Sequence, residues 1–255
     1  MKTSILSIIT KLAPYCSALG LILFVSVGLA RAAPDHSIFG DLLAKYNQAG
    51  LVNYAGFKSE ESRLDKYLGQ LSSIDPESLT SPDRFAFYVN AYNAWTIKLI
   101  LSGYPGLESI KELGNIFKSP WKRKFVDLNG KKVTLDHIEH DILRPQFKDP
   151  RVHFAVNCAS IGCPPLFKEP FAGSRLEQQL DNATRAFIND RRYNRLEGNT
   201  LYVSKIFKWF KEDFDHDIIG FFEQFGADEL RFMIKDRRAT IKIEYLDYDW
   251  GLNGK

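Results

Sequence analysis

Cysteine is scarce in this chain, and so is any excess of one charge. Of three cysteines in 255 residues, Cys16 lies in the apolar N-terminal stretch, which leaves Cys158 and Cys163. Their spacing is not the C-x-x-C of thioredoxin-like redox proteins, which ranks a redox role last. The chain has 34 Lys+Arg against 31 Asp+Glu. Lys2, Lys11 and Arg31 fall in residues 1–32, which hold no acid, so residues 33–255 carry 31 basic residues against the 31 acids. A neutral domain has no global attraction to nucleic acid or to an anionic membrane, so neither is expected as a partner. Long apolar runs are missing after the N-terminus, as are low-complexity linkers and internal repeats. These absences argue against a membrane protein and against a repeat array.

What the N-terminus does contain is a secretory leader. Lys2 and Lys11 precede the uncharged apolar run Ala18–Leu29, and Ala30-Arg31-Ala32 supplies small residues at a cleavage site. The run is shorter than the roughly 20 apolar residues that a spanning helix needs. Residues 1–32 therefore read as a cleaved signal peptide, and 33–255 as a single globular domain exported to the periplasm or the outside. Cys16 lacks the small-residue context of a lipoprotein site, so no membrane anchor is expected after cleavage.

Helical periodicity dominates the remainder. Ile38, Leu42, Leu43 and Tyr46 share one face, as do Leu64, Tyr67, Leu68 and Leu71. From Ser81 and Pro82 to Leu101 the chain is apolar on nearly every side, which marks a buried helix. This central helix, at about 82–102, is expected to be the spine. Asn129-Gly130 between Phe125–Leu128 and Lys131–Thr134 reads as a hairpin. Residues 136–144 read as a short helix ended by Pro145. Residues 151–157 alternate and read as a strand, followed by a Gly- and Pro-rich loop at 158–170. Ser174 and Glu177 form a capping-box pattern. Ser204 is expected to cap a helix holding Ile206 and Phe207. Helices at 218–225 and 229–234 and a strand at 241–245 complete the chain. Strand and helix do not alternate regularly, so the class is α+β: a helix-rich domain with a small, mostly antiparallel sheet and hairpins.

Several polar residues stand out against this apolar background. Asn90 and Asn93 share a face of the spine helix. Buried amides without partners cost roughly 1–3 kcal/mol, so they either tie a loop to the helix or line a site. His137, Glu139, His140 and Arg144 share the short helix at 136–144. A metal is not expected there, because the His spacing lacks the zincin pattern and Arg144 would repel a cation. No cofactor is expected either. Lys118, Lys122, Arg123, Lys124, Lys131 and Lys132 surround Trp121 and read as a solvated hairpin face. The segment Arg151–Leu166 delivers Cys158 to the end of its expected strand, where a nucleophile is well presented. Strand parity sets His153 on the opposite side, which favours His137 or His140 as the base. Cys158 and Cys163 could equally close a small loop as a disulfide.

The motifs NAYNAWTI (90–97), LDHIEHDILR (135–144) and RVHFAVNCASIGCPPL (151–166), with VSKIFKWFKEDF (203–214) and YDWGLN (248–253), together resemble the domain of unknown function 547 family. The resemblance runs from about residue 40 to the C-terminus. It implies exported proteins in bacteria, and in plants intracellular ones joined to other modules, some of them glutaredoxin-like. It implies no particular reaction. The family's recurrent polar positions fall here on Asn90, Asn93, His137, Glu139, His140, His153, Asn157, Cys158, Cys163 and Asp213.

Two functions are therefore expected. The first is a thiol-dependent hydrolase or acyltransferase with Cys158 as nucleophile, His140 or His137 as base, and Asn90 or Asn157 orienting the base or stabilising an oxyanion. Asn93, Glu139, His153, Asp213 and Arg144 would bind the substrate. The second is a non-catalytic envelope module that binds a small-molecule or peptide ligand, with Cys158 and Cys163 bridged. Export itself is directly testable. N-terminal sequencing of the secreted protein should start at Ala33 or within a residue or two, and a mature chain that retains Lys2 contradicts the leader.

Overall fold

The protein is described by a computed structural model covering residues 33–115 and 117–254. The leader and its cleavage site lie outside the described residues. The chain order begins α1 (Ser37–Tyr46), β1 (Asn47–Gln48), β2 (Leu51–Val52), α2 (Tyr54–Ser59), α3 (Glu61–Ser72) and α4 (Ser81–Leu101). It continues with β3 (Val126–Leu128), β4 (Lys131–Val133), a π-helix (His137–Leu143), α5 (Arg144–Phe147) and α6 (Val152–Ala155). It ends with α7 (Leu176–Ile188), β5 (Arg195–Glu197), β6 (Thr200–Val203), α8 (Ile206–Trp209), α9 (Ile218–Phe225), α10 (Asp228–Arg237) and β7 (Lys242–Tyr245). The class is α+β, rich in helix, with small sheets. No helix among the described residues is long and apolar enough to cross a membrane.

The spine is α4. Every residue from Phe85 to Ala94 is buried, because α1–α3 pack on one side and the π-helix and the Cys158 loop on the other. It starts at Ser81, one residue before the expected bound. Thr80, not Ser81, accepts from the Asp83 N–H (3.3 Å), and Pro82 sits in the first turn, where its missing N–H costs nothing.

The strands form three separate small sheets. β1–β2, β3–β4 and β5–β6 are antiparallel hairpins, while β7 joins β6 in parallel. The β3–β4 turn is Asn129-Gly130, with φ of 49° and 72°. Two successive left-handed residues match the twist of a two-residue hairpin.

Two expectations are corrected. Residues 151–157 are not a strand, since Val152–Ala155 is a helical turn and the chain becomes extended only from Val156. All residues from Val152 to Asn157 are buried, so their alternation did not report one solvated face. The decisive signal was Asp149-Pro150. The Asp149 carboxylate accepts from the Arg151 N–H (2.9 Å), and the Asp149 carbonyl from Val152 N–H (3.1 Å), which starts a turn. Likewise, the Ser174–Glu177 capping box does not form. Ser174 lies in a 3-10 turn, α7 starts at Leu176 without a side-chain cap, and Glu177 reaches Arg151 instead (2.7 Å). Lys205, not Ser204, holds the cap position of α8; Ser204, one residue earlier, accepts from Ile206 N–H (3.3 Å).

Asn90 and Asn93 tie the loop region to the spine. Asn90 donates to Phe171 O (2.8 Å) and accepts from Phe171 N–H (2.9 Å). Asn93 donates to Ala155 O (2.9 Å) and accepts from Asn157 N–H (2.8 Å). Replacing Asn93 with Leu leaves a buried carbonyl and N–H unpaired, at about 1–3 kcal/mol each. At roughly 2–4 °C per kcal/mol for a domain of this size, the melting temperature of Asn93→Leu should fall by several degrees in calorimetry. An unchanged value contradicts the bracket.

Candidate functional site

Cys158 is placed by what holds its neighbours. The Asn157 side chain donates to Pro164 O (2.8 Å) and accepts from Ala159 N–H (3.0 Å) and from Asn253 Nδ2 (3.1 Å). Asn253 accepts in turn from the Tyr54 hydroxyl (2.6 Å). Asn47 fixes the far side of the loop through Leu166 O (2.9 Å) and Phe167 O (3.0 Å). Ala159 is left-handed (φ 63°), so the chain turns sharply just after the cysteine.

The C-terminal segment then covers this loop. Ile161 N–H donates to Gly251 O (2.8 Å), Gly162 N–H to Asp249 O (2.8 Å), and Asn253 N–H to Ala159 O (3.0 Å). A Cβ on Gly162 would come within 2.9 Å of Asp249 N and 3.0 Å of Asp249 O, so the close approach requires glycine. It delivers Tyr248 and Trp250 over the cysteine.

The half-buried Cys158 sulfur touches the Ser160 hydroxyl (2.9 Å) and the Tyr248 hydroxyl (3.1 Å), which touch each other (3.0 Å). The buried Cys163 sulfur accepts from Cys158 N–H (3.0 Å). Both cysteines are free thiols. Bonding from the Cys163 thiol, then from the Ser160 and Tyr248 hydroxyls and the Ser160 N–H, outweighs desolvation and lowers the Cys158 thiol to about 7. Burial, with the Cys158 charge beside it, pushes the Cys163 thiol well up. The pair therefore ionises at Cys158 first.

Cys158 opens on a cavity of about 210 Å³ between α4, the π-helix, α6, α8 and the C-terminal segment. Its walls are Tyr92, Trp121, Trp209, Phe210, Tyr248 and Trp250, with Asp136, Glu139, His140 and His153 as polar members. His153 lies flat on Phe210 (centroids 4.0 Å apart) and its Nε2 bonds Asp213 Oδ2 (2.6 Å). A carboxylate only accepts, so Nε2 carries the proton and Nδ1 keeps the lone pair in the neutral ring. Arg144 grips Asp213 through Nε (2.5 Å) and a terminal nitrogen (3.0 Å). Burial works to raise the Asp213 carboxyl, but His153 and Arg144 hold it well below the usual carboxylate range.

Arg144 also donates to His140 Nδ1 (3.0 Å). A guanidinium cannot accept, so Nδ1 is the acceptor in this contact, while Nε2 lies 3.6 Å from Asp136. His140 is therefore spoken for as a base at Nδ1.

The cavity thus joins Cys158, Glu139, His140 and His153, backed by Asp213 and Arg144. His137 is not part of it. It is half-buried and bonded to Asp141 (2.7 Å). Asn90 and Asn157 spend their amides on backbone groups and on Asn253, and Asn93 on the α6 end, so none of the three faces the cavity. The strand-parity argument against His153 lapses with the strand itself. Sequence reasoning missed Ser160, Tyr248 and the aromatic wall. Ser160 is two residues from Cys158, whereas Tyr248 is ninety away and joins the site only through the fold. Of the basic patch, Trp121 lines the cavity while Lys132 pairs with Asp127 (3.0 Å). Among the described residues, no group of three or more metal-ligating side chains occurs.

The hydroxyl cradle has a consequence for reactivity. Removing the Tyr248 hydroxyl takes one donor from the thiolate, at about 1.5–3 kcal/mol for a charged bond. Tyr248→Phe should therefore move the midpoint of iodoacetamide labelling at Cys158 upward by about a unit or more, slowing labelling at pH 7 roughly fivefold. Mass spectrometry across pH reads this, and an unmoved midpoint contradicts the cradle.

No curated protein and no solved structure matches the chain. Residues 76–188, which hold the spine helix, the π-helix and the Cys158 loop, match the family model described as Protein of unknown function, DUF547, and the resemblance carried by the motifs at 90–97, 135–144 and 151–166 is to that family.

Proposed function

We propose that this is an exported thiol-dependent hydrolase or acyltransferase with Cys158 as its nucleophile. One observation carries the reading. A free thiol at the wall of an apolar cavity is cradled by two hydroxyls, and the same cavity is lined by an imidazole oriented by a carboxylate. A depressed thiol in such a setting is the usual form of an activated cysteine.

The sulfur's bonds are to hydroxyls, not to imidazole, so His153 acts at the substrate's leaving group. In this reading the proton that leaves Cys158 passes to His153 Nδ1. The thiolate attacks a carbonyl carbon and a C–S bond forms. The bond from that carbon to the leaving group breaks, and His153 returns its proton to the departing oxygen or nitrogen. The acylated sulfur no longer carries charge, which frees Ser160 and Tyr248 to donate to the carbonyl oxygen. Water or another acceptor then gives its proton to His153 and attacks the thioester carbon; the C–S bond breaks, the acyl product leaves, and His153 returns its proton to the Cys158 sulfur. Asp213 keeps Nε2 protonated throughout and Arg144 keeps Asp213 ionised. His153 takes the part that the sequence assigned to His137 or His140.

A second reading has its own support. Cys158 N–H reaches the Cys163 sulfur at 3.0 Å, so the two side chains are close enough to favour a bridge in an oxidising compartment. The bridged protein would be a binding module built on the same cavity.

A generic ester separates them. With p-nitrophenyl acetate, the reduced protein should release a burst of nitrophenolate and accumulate an acylated Cys158. Cys158→Ser should release none. His153→Ala should lower steady turnover by about 10²–10⁴-fold, while Cys163→Ser keeps the burst. Equal hydrolysis by Cys158→Ser, or a quantitative Cys158–Cys163 bridge in protein isolated from its native compartment, contradicts the catalytic reading.

A further inference from the structure

The cavity has more negative charge than its chemistry at Cys158 requires. Glu139 is buried (9 % exposed) and lines the cavity wall. Its one hydrogen-bonding partner is the Tyr92 hydroxyl, and it forms no ion pair among the described residues. Its polar neighbour is Tyr92, whose hydroxyl burial and the Glu139 charge together push well up, so Tyr92 stays a neutral phenol. Even with that one O–H turned toward it, a carboxylate has about four acceptor sites. A buried carboxylate left this short of donors is costly unless something else supplies them.

The π-helix is what puts the carboxylate there. Ile138, Ile142 and Leu143 bury one side against the core, and the wide turn sets Asp136, Glu139 and His140 on the cavity side. Segments of π-helix are rare and recur at functional sites.

Among the described residues no Lys or Arg pairs directly with Glu139 or Asp136. Arg144 feels the Glu139 charge but spends its bonds on Asp213 and His140. His153, when protonated, is matched by Asp213. Lys111 sits outside, with its ammonium 3.7 Å over the Trp250 ring. That contact is informative in itself, since the aromatic wall already accepts an ammonium on one face. Trp209, Tyr248 and Trp250 pack together with centroids 4.6–5.8 Å apart. They form an apolar shelf suited to an alkyl chain and to a cation at its end.

We infer that this cavity is a specificity pocket for a primary alkylammonium group, held by Glu139 with Asp136 behind it, its chain lying on the Trp209–Trp250 shelf. The inference extends the acyl-transfer reading. The carbonyl compound that Cys158 attacks, or the acceptor that takes the acyl group, carries a basic side chain of the lysine kind. A primary ammonium has three donors for Glu139, whereas a carboxylate or phosphate would meet two acids and a thiolate.

The test needs no nucleophile. Cys158→Ser protein is titrated with n-butylammonium, n-butanol and n-butyrate, and binding is followed by tryptophan fluorescence, since three of the four tryptophans line the cavity. Butylammonium should bind at least about tenfold tighter than butanol, a difference that one charge-assisted bond supplies, and butyrate weakest. Glu139→Gln should bring butylammonium to within about twofold of butanol. If Glu139→Gln does not fold, Asp136→Asn should weaken butylammonium about threefold with butanol unchanged. Equal affinities, tighter butyrate, or no response to butylammonium overturns the inference. A nitrophenolate burst without ammonium preference would sink this inference alone. Ammonium preference without a burst would sink only the catalytic reading.

Discussion

A line of buried amides holds this protein's site together. Asn93 on the spine helix bonds the backbone on both sides of Val156, at Ala155 O and Asn157 N–H. Asn157 then bonds Pro164 O, Ala159 N–H and Asn253, and Asn253 ends on Tyr54. Each amide is buried, and each would cost roughly 1–3 kcal/mol if unpaired. Paired in series, they fix four chain segments in one place: the spine, the α6 end, the 158–166 loop and the C-terminus. An apolar core alone is non-directional and would not fix the rotation of that loop.

The thiol's environment follows from this line. Cys158 directly follows Asn157, so its sulfur position is set by the bonds of Asn157. Tyr248 comes on the segment that Asn253 anchors, so the distance between sulfur and phenol is set by the same amide. The acid partners come from elsewhere. Arg144 follows the π-helix, His153 comes from α6, and Asp213, in the turn after α8, accepts from both. Two polar groups therefore meet across one cavity, one built on the amide line and the other on the Asp213 ion pair. This division explains why the sulfur contacts hydroxyls while the imidazole contacts a carboxylate.

Much of this was legible in the sequence. The all-round apolar pattern at 82–101 announced the spine, and two amides on such a helix announced buried partners. Asn129-Gly130 gave the hairpin. Cys158, Glu139, His140, His153, Arg144 and Asp213 were singled out from residue type and from the family resemblance; the first four line one cavity, and Arg144 and Asp213 are bonded behind it. What failed was orientation. At 151–157 the alternation of Val, His, Phe and Ala mimicked a strand, because a fully buried turn has no solvated face to reveal its period. That error placed His153 away from Cys158 and promoted His137, which the π-helix instead turns toward Asp141 and solvent. Asn90 and Asn157 were of the right chemical type for an oxyanion donor, but backbone groups claimed them first. Tyr248, Trp209 and Trp250 stood in the motifs at 203–214 and 248–253 and Trp121 in the basic patch, but nothing local tied them to Cys158. Tyr248 and Trp250 reach the site because Gly162 lets the C-terminal segment lie directly on the loop.

The account stands or falls on whether Cys158 is a thiolate near neutral pH while Cys163 is not. Thiolate ultraviolet absorbance, titrated for the reduced protein and for Cys158→Ser, measures this most directly. The difference between the two curves should show one thiolate with a midpoint at about 7, and Cys158→Ser should show no thiolate in that range. A difference curve that rises only near the ordinary thiol value of about 8.5, or a neutral-range thiolate that persists in Cys158→Ser, would contradict it.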